Sequence, residues 1–355
     1  MSDNNPVKVG VVGLGRAGWG LHVHTMLQPA VAPKYKIVAA ADPIKARQEE
    51  AANTLGCRTY DDIQPLLGDK EVELVVVATF NNLHAPHSIA ALKAGKNVLC
   101  EKPMATSLAD ADKMVATAKE TGRILTFDHE MRFLPSLLRV KEVVDSGKIG
   151  EPLLIHINGH FFRRRWDWQT LKSFGGGEMN NNACHAVDEA LVFMGDVEPE
   201  VFADVRHTPL MAGDADDHVK IILRAKGAPT CDIEITNAAA IKNDEWYVMG
   251  TRGGIAGSWN ELKIRWFDPS ILGPREPLGA PTPDRSYNSE KLPLQEETWN
   301  GANAGTAGYE GVYLSLFETM RNGKPLAITP ESVRRVIAVL EECRRQSPVY
   351  NPALS

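Results

Sequence analysis

A chain of 355 residues exceeds what one hydrophobic core ordinarily organises, so two domains are expected. With 43% hydrophobic and 24% charged residues the composition is that of a globular protein, and no apolar run approaches the roughly 18 residues of a membrane span. The net charge of −6 excludes generic attraction to nucleic acid or anionic lipid, and the one basic cluster, Arg163 to Arg165, is too short to reverse this.

From Val7 to about Phe127 short apolar runs alternate with longer helical patterns. The runs "VKVGVVG", "KIVAAA", "ELVVVAT", "NVLC" and "RILTF" lack polar alternation and read as strands buried on both faces. Helices are expected over residues 44 to 55 and 107 to 121, and Pro86 suits the first turn of another that ends at Gly95. The pattern is an open α/β sheet, doubly wound and mostly parallel.

The first run leads into "GLGRAG", which places Gly13, Gly15 and Gly18 as G-x-G-x-x-G between a strand and a helix, with Arg16 and Ala17 inside the turn. Glycines there permit a tight turn, close approach of a pyrophosphate and helix-on-strand packing, while helix-end N–H groups receive the anion. Asp42 follows the second run, 24 residues after Gly18, where a carboxylate accepts hydrogen bonds from an adenosine ribose or, equally, caps the next helix. Its charge disfavours a 2′-phosphate, so NAD is expected over NADP. "NVLCEKPMA" puts Glu101 and Lys102 just after a strand, at the carboxyl edge where such sheets bind ligands, and a lysine there suits stabilisation of a developing alkoxide.

After Phe127 the grammar changes. A helical stretch "LPSLLRVKEVVDSGKIG" precedes "EPLLIHINGHFF", and longer strands without helical crossovers are expected over residues 198 to 207, 217 to 225, 230 to 237 and 244 to 250. This is an α+β domain on an antiparallel or mixed sheet. Residues 269 to 304, rich in Pro, Gly and Asn, are expected as a long excursion, and "GYEGVYLSLFETMRNG" and "PESVRRVIAVLEECRRQ" return to helical spacing. The expected boundary divides residues 1–127 from residues 128–355, with the helix of about 330–346 packing back near the first domain.

Within the second domain, "HFFRRRWDWQTLKSF" interleaves Arg and Trp. Arg163 and Arg164 read as a solvated run, whereas Arg165, Trp166, Asp167 and Trp168 fit a sugar-binding wall and a sheet edge equally well. Arg132, in "RFLP", fits a substrate contact or a bridge between domains. "GGGEMNNNACH" turns the chain into a helix that carries Asn181 and His185 one turn apart, with Asp188 on the same face to orient the ring or to pack. "GDADDH", residues 213 to 218, reads as a solvated turn. His84, His87, Cys184, His185 and Asp188 are metal-ligand types without the usual zinc spacing, so no metal is expected. The five cysteines, an odd number with no CxxC pair, fit reduced thiols, and "MSDNNPVKVG" has no apolar signal core, so a cytoplasmic protein is expected.

Together "GLGRAG", "VVVATFNNLHAPHSIAALKAGKNVLCEKPMA", "RFLP", "GGGEMNNNACHAVD" and "FETMRNGKPLAITPESVRRVIAVLE" resemble the Gfo/Idh/MocA family of glucose-fructose oxidoreductase and inositol dehydrogenase relatives. The resemblance implies an N-terminal Rossmann domain binding NAD(H) or NADP(H). It implies a second domain whose open, mostly antiparallel sheet carries a carbohydrate or cyclitol site and a dimer or tetramer contact. It assigns Lys102 and His185 to catalysis, and it lays Thr79, Asn81 and His84 along the cofactor with Glu101 behind. Many members have Asp four residues before the histidine and Gly two before it; here these are Asn181 and Ala183. Because an amide does not ionise, base work falls to His185, with Asn181 orienting substrate or ring. The leading expectation is an NAD-dependent dehydrogenase or reductase acting on a secondary alcohol or ketone. NAD-assisted glycoside cleavage through transient ring oxidation is the alternative, and a non-catalytic NAD sensor a further one.

Overall fold

A computed structural model describes residues 5–282, 284–301 and 307–354. Its first sheet has six strands: β1 (Val7–Val12), β2 (Tyr35–Ala41), β3 (Arg58–Tyr60), β4 (Leu74–Val77), β5 (Asn97–Cys100) and β6 (Leu125–Phe127). All neighbours pair in parallel in the order β3-β2-β1-β4-β5-β6. Val and Ala dominate because helices cover both faces, and β4 is buried throughout. Strand β3, absent from the sequence expectation, has only three residues and too little pattern to reveal itself.

The helix after β1 begins as a wide π turn, Gly18–Val23, and finishes as α1, His24–Met26. The further helices of this half are α2 (Lys45–Leu55), α3 (Ile63–Leu67), α4 (His84–Lys93) and α5 (Leu108–Thr121). Ser107 caps α5 by accepting the Asp110 N–H, and Gly122 ends it in the left-handed conformation. α6 (Pro135–Asp145) then enters the second half.

The second sheet has eight strands: β7 (Pro152–His160), β8 (Glu200–Arg206), β9 (His218–Arg224), β10 (Thr230–Thr236), β11 (Trp246–Gly250), β12 (Gly253–Gly257), β13 (Glu261–Trp266) and β14 (Gln295–Asn300). Only β7 and β10 pair in parallel; the other contacts are antiparallel. α7 (Cys184–Met194) packs on the apolar face through β7 and β10. The expected excursion ends differently: its last part forms β14, an edge strand whose sequence QEETWN lacks apolar alternation. Residues 283 and 302–304 of that excursion lie outside the described residues.

Two closing helices, α8 (Ala307–Asn322) and α9 (Pro330–Gln346), join the halves. α9 packs on α5, α7 and β8, and Thr126 Oγ1 donates to the Ile328 carbonyl at 2.8 Å. The Tyr35 hydroxyl donates to the Tyr313 carbonyl at 2.7 Å, beneath the first sheet. The five cysteines are free and buried. Among the described residues no helix is long and apolar enough to cross a membrane.

Candidate active site at the carboxyl edge of the first sheet

The nucleotide end is shaped by close backbone approach. Gly13 has φ +89°, and a Cβ on it would lie 2.4 Å from the Ala78 carbonyl oxygen; a Cβ on Gly18 would lie 1.7 Å from the Gly13 oxygen. Around Gly15, by contrast, the nearest atom is Arg47 Nη1 at 4.0 Å, so the turn presents open space and N–H groups to an incoming anion. Arg16 is exposed and Ala17 half-buried on the same turn. Asp42, almost fully buried, accepts N–H groups from Leu14 at 2.8 Å and Ile44 at 2.9 Å, and Arg47 Nη1 stands 3.3 Å away. It therefore shapes the glycine loop and the entry to α2 together. The cradle fits a dinucleotide.

The loop after β4 is held from behind. His84, fully buried, has Nδ1 on the Pro103 carbonyl at 2.8 Å and Nε2 on the Thr79 carbonyl at 3.2 Å, which ties that loop to the one after β5. Asn81 donates to the Gly175 carbonyl at 2.8 Å, so it joins the two halves of the site. Phe80 adds an aromatic contact to Trp168, with ring centroids 5.0 Å apart. Thr79 is half-buried, its Oγ1 3.4 Å from His87 Nδ1.

Glu101 is buried against His22, Oε1 to Nε2 3.1 Å, and accepts the Lys102 backbone N–H at 3.1 Å. Burial pushes its carboxyl up, but the His22 hydrogen bond and charge, with Lys102, hold it below its ordinary value. Lys102 itself reaches across the cleft. Its Nζ donates to the Asn181 carbonyl at 2.5 Å and stands 3.5 Å from Asn181 Oδ1.

Asn181 lies in a second π turn, Met179–Ala183, that precedes α7. The expected continuous helical turn from Asn181 to His185 is thus a wide turn followed by α-helix, a bulge type frequent at functional sites. Its three asparagines divide the work. Asn180 donates to the Gly175 carbonyl and accepts from Arg344, and Asn182 donates to Glu178. Asn181 faces Lys102 and accepts from Gln169 Nε2 at 3.2 Å.

His185, buried, points Nδ1 at Glu130 Oε2 across 3.8 Å and meets His129 edge to face at 5.8 Å between centroids. Burial first, then Lys102 and His129, hold its imidazole well below the ordinary range. Asp188 does not orient this ring. It takes a bidentate pair from Arg132, 2.7 and 2.5 Å, and stands 3.5 Å from His129 Nδ1. Arg132 also donates to Ser332 Oγ at 3.1 Å, so its fork has internal partners and it bridges α7 to α9.

The Arg–Trp stretch is also redistributed. Arg163 is not a solvated side chain: it donates to Asn237 at 2.6 Å and to the buried Glu178 at 3.2 Å, because that carboxylate needs partners. Arg165 grips Asp167 through two hydrogen bonds, 2.9 and 2.8 Å, and donates to Gln169, which places it one residue from the Asn181 amide. Trp168 packs on Phe80, while Trp166 is 79% exposed at the rim. The "GDADDH" turn is buried at its end: Asp216 accepts the Met179 N–H at 2.7 Å, and Asp217 accepts the Thr208 N–H at 2.6 Å.

Among the described residues one trio of ligand-type side chains, His22, Glu101 and Asp128, brings its atoms within 4.8 Å. The His22–Glu101 hydrogen bond accounts for two of them. Burial, with Glu130 and Glu101 nearby, pushes the Asp128 carboxyl well above its ordinary value.

A parallel sheet ordered 3-2-1-4-5-6 with a glycine turn and acid, followed by an open antiparallel sheet, defines a two-domain dinucleotide-binding protein. Family comparison makes this specific. Residues 7–129 match the model described as "Oxidoreductase family, NAD-binding Rossmann fold", and residues 137–256 match the "GFO/IDH/MocA C-terminal domain". The chain belongs to the Gfo/Idh/MocA family of oxidoreductases.

A myo-inositol 2-dehydrogenase of Thermotoga maritima is 32% identical over 258 residues, 70% of this chain and 74% of that enzyme. A 1-carboxy-3-chloro-3,4-dihydroxycyclohexa-1,5-diene dehydrogenase of Comamonas testosteroni is 36% identical over 51% of this chain, and the match spans only 46% of that enzyme. A 2,7-anhydro-N-acetylneuraminate hydratase of Mediterraneibacter gnavus is 30% identical over 62% of this chain and 60% of its own length. The fold also superposes on the WlbA dehydrogenase of Bordetella pertussis, solved with NADH and UDP-GlcNAcA, with TM-score 0.76 at 21% identity over 98% and 96% of the two chains.

Proposed function

We propose that the chain moves a hydride between nicotinamide C4 and a secondary alcohol or ketone of a sugar, sugar acid, cyclitol or glycoside. The observation that carries this reading is the meeting of Lys102 with the Asn181–His185 turn at the carboxyl edge of the first sheet. The glycine turn and Asp42 would hold the adenosine end of NAD, with Thr79, Glu101 and Lys102 at the nicotinamide end, and the nicotinamide would supply the hydride acceptor. The charge of Asp42 favours NAD over NADP.

His185 is kept neutral by burial and so has a lone pair free to accept the substrate hydroxyl proton. Lys102 supplies a positive charge beside the oxygen as it becomes alkoxide-like. Asn181 and Gln169 align hydroxyl groups through amides that do not ionise, and Arg165 with Asp167 extends that polar wall. Trp166 and Trp168 offer indole faces at the rim. Buried free thiols fit a reducing, cytoplasmic setting.

The test is single-turnover reduction of NAD with a polyol that the wild type oxidises. His185→Ala should lower that rate by roughly 10² to 10⁴ while NAD affinity stays unchanged; a near-normal rate would remove His185 from the proton step. A second reading, NAD-assisted cleavage of a glycoside or anhydro sugar, is favoured by the hydratase relative. It is distinguished by sugar release without accumulation of NADH.

A further inference from the structure

A group of buried polar atoms without hydrogen-bond partners lies behind His185. Asp128 Oδ1 and Oδ2, both ring nitrogens of His129, Glu130 Oε2 and His185 Nδ1 are all sealed from solvent in this state. Leaving such atoms unpaired is costly, so their concentration in one place calls for a function. Two of them face each other: His185 Nδ1 and Glu130 Oε2, 3.8 Å apart.

The competing partners of the His185 ring are excluded by geometry and chemistry. Asp188 is engaged by Arg132, and Asn181 is an amide bonded to Lys102 and Gln169. Among the described residues Glu130 is the one carboxylate in ion-pair reach of His185. The gap exceeds a hydrogen bond by less than 1 Å, of the order by which catalytic contacts tighten when substrate binds.

Resting on the proton-transfer role given above to His185, we propose that Glu130 is the positioning carboxylate of this ring. It holds the proton on Nδ1, leaves the Nε2 lone pair for substrate, and takes the Nδ1 proton when Nε2 is protonated. The balance closes: the substrate O–H proton goes to Nε2, its C–H hydride goes to the nicotinamide, and the Nδ1 proton converts the Glu130 carboxylate to a carboxyl. Histidine leaves the step neutral, with its proton on the other nitrogen.

The surroundings suit a carboxyl that exchanges a proton. Burial, offset by Lys102, pushes Glu130 up to about 7, and Glu101 adds repulsion. The Tyr309 hydroxyl, from α8, stands beside it and favours the carboxylate. From its own segment Asp128 and His129 adjoin it, and from α7 so do Cys184, His185 and Glu189; Asp128 and Glu189 are themselves pushed up, in part by Glu130. The Arg132–Asp188 pair, with the guanidinium held up and the carboxyl held down, stays charged across the range in which Glu130 titrates.

The experiment uses NAD-loaded protein labelled with ¹⁵N-histidine, so it needs no known substrate. Long-range ¹H–¹⁵N spectra report the His185 tautomer from pH 5 to 9. In the wild type the ring should be the Nδ1–H form above pH 7, with a Nδ1 shift that follows a titration near 7; Glu130→Gln should abolish that titration. Tyr309→Phe, which keeps the carboxylate and removes its hydroxyl partner, should move the midpoint upward and serves if the glutamine variant fails to fold. With a polyol oxidised by the wild type, the turnover rise through pH 7 should disappear in Glu130→Gln and the single-turnover rate fall by roughly 10²-fold. A His185 spectrum unaltered by Glu130→Gln, or a midpoint unmoved by Tyr309→Phe, overturns the proposal. Failure of the wild type to oxidise any polyol would instead count against the function proposed above and leave the spectral test standing.

Discussion

Burial holds the His185 imidazole well below its ordinary range by removing water from around its cation, and Lys102 and His129 reinforce the effect by repulsion. The depressed value means that the neutral ring persists as pH falls well below the ordinary histidine midpoint. Asn181 stands beside it as an uncharged anchor for Lys102. Replacing it by an ionisable group of the same shape, Asn181→Asp, should preserve the melting temperature and place a new carboxylate against that ammonium. Turnover should then acquire an acidic limb, because protonating the carboxyl would release Lys102; a pH profile superimposable on the wild type would show that Asn181 takes no part.

At the scale of elements, the sharp entry into the π turn depends on backbone that only glycine supplies. Gly177 has φ +104°, and a Cβ there would lie 2.1 Å from Asp216 Oδ1 and 2.9 Å from the Tyr350 hydroxyl. Gly177→Ala should therefore lower stability by about 2 kcal/mol or more and lower the rate as well, because the same strain displaces the turn carrying Asn181. Thermal unfolding and single-turnover rates measure the two effects, and a variant as stable and as fast as the wild type would contradict this account.

Elements with strong patterns were legible before folding. The valine and alanine runs of β1, β2 and β4 declared a parallel sheet, and the glycine turn declared its ligand edge. β3 was too short, β12 is GGIAG, and β14 carries a single apolar residue, Trp299, so none carries a periodic signal. The two segments that meet where Lys102 touches Asn181 were legible through their motifs. Glu130 was not, since its relation to His185 is created when the 3₁₀ turn Glu130–Phe133, after β6, meets α7, 55 residues onward. The pairing of Asp188 with Arg132 is hidden for the same reason: both satisfy local expectations until tertiary contact chooses between them.

Across the whole molecule, the second sheet has one face on α7 and another that is largely uncovered. Phe202, Tyr247 and Met249 project from it and are 60%, 44% and 40% exposed. They are interspersed with charged pairs such as Lys220 with Asp232 and Glu234. Such a surface suits association with a second copy, so sedimentation should show a dimer or tetramer, and Tyr247→Glu should shift it toward monomer; a monomeric wild type would contradict this.

The contacts of α8 and α9 bear on the order in which the protein can be completed. A nascent chain releases β1 and β2 early, yet Tyr35 obtains its acceptor from Tyr313, 278 positions later, and Thr126 obtains its own from Ile328, 202 positions later. The nucleotide half is thus first to be made and among the last to be finished. Until the final two helices arrive, its underside keeps those hydroxyls turned to water, and the burial around His22 that tunes Glu101 is incomplete. The setting of His22 and Glu101 at the edge of the first sheet is, in this sense, completed by α8.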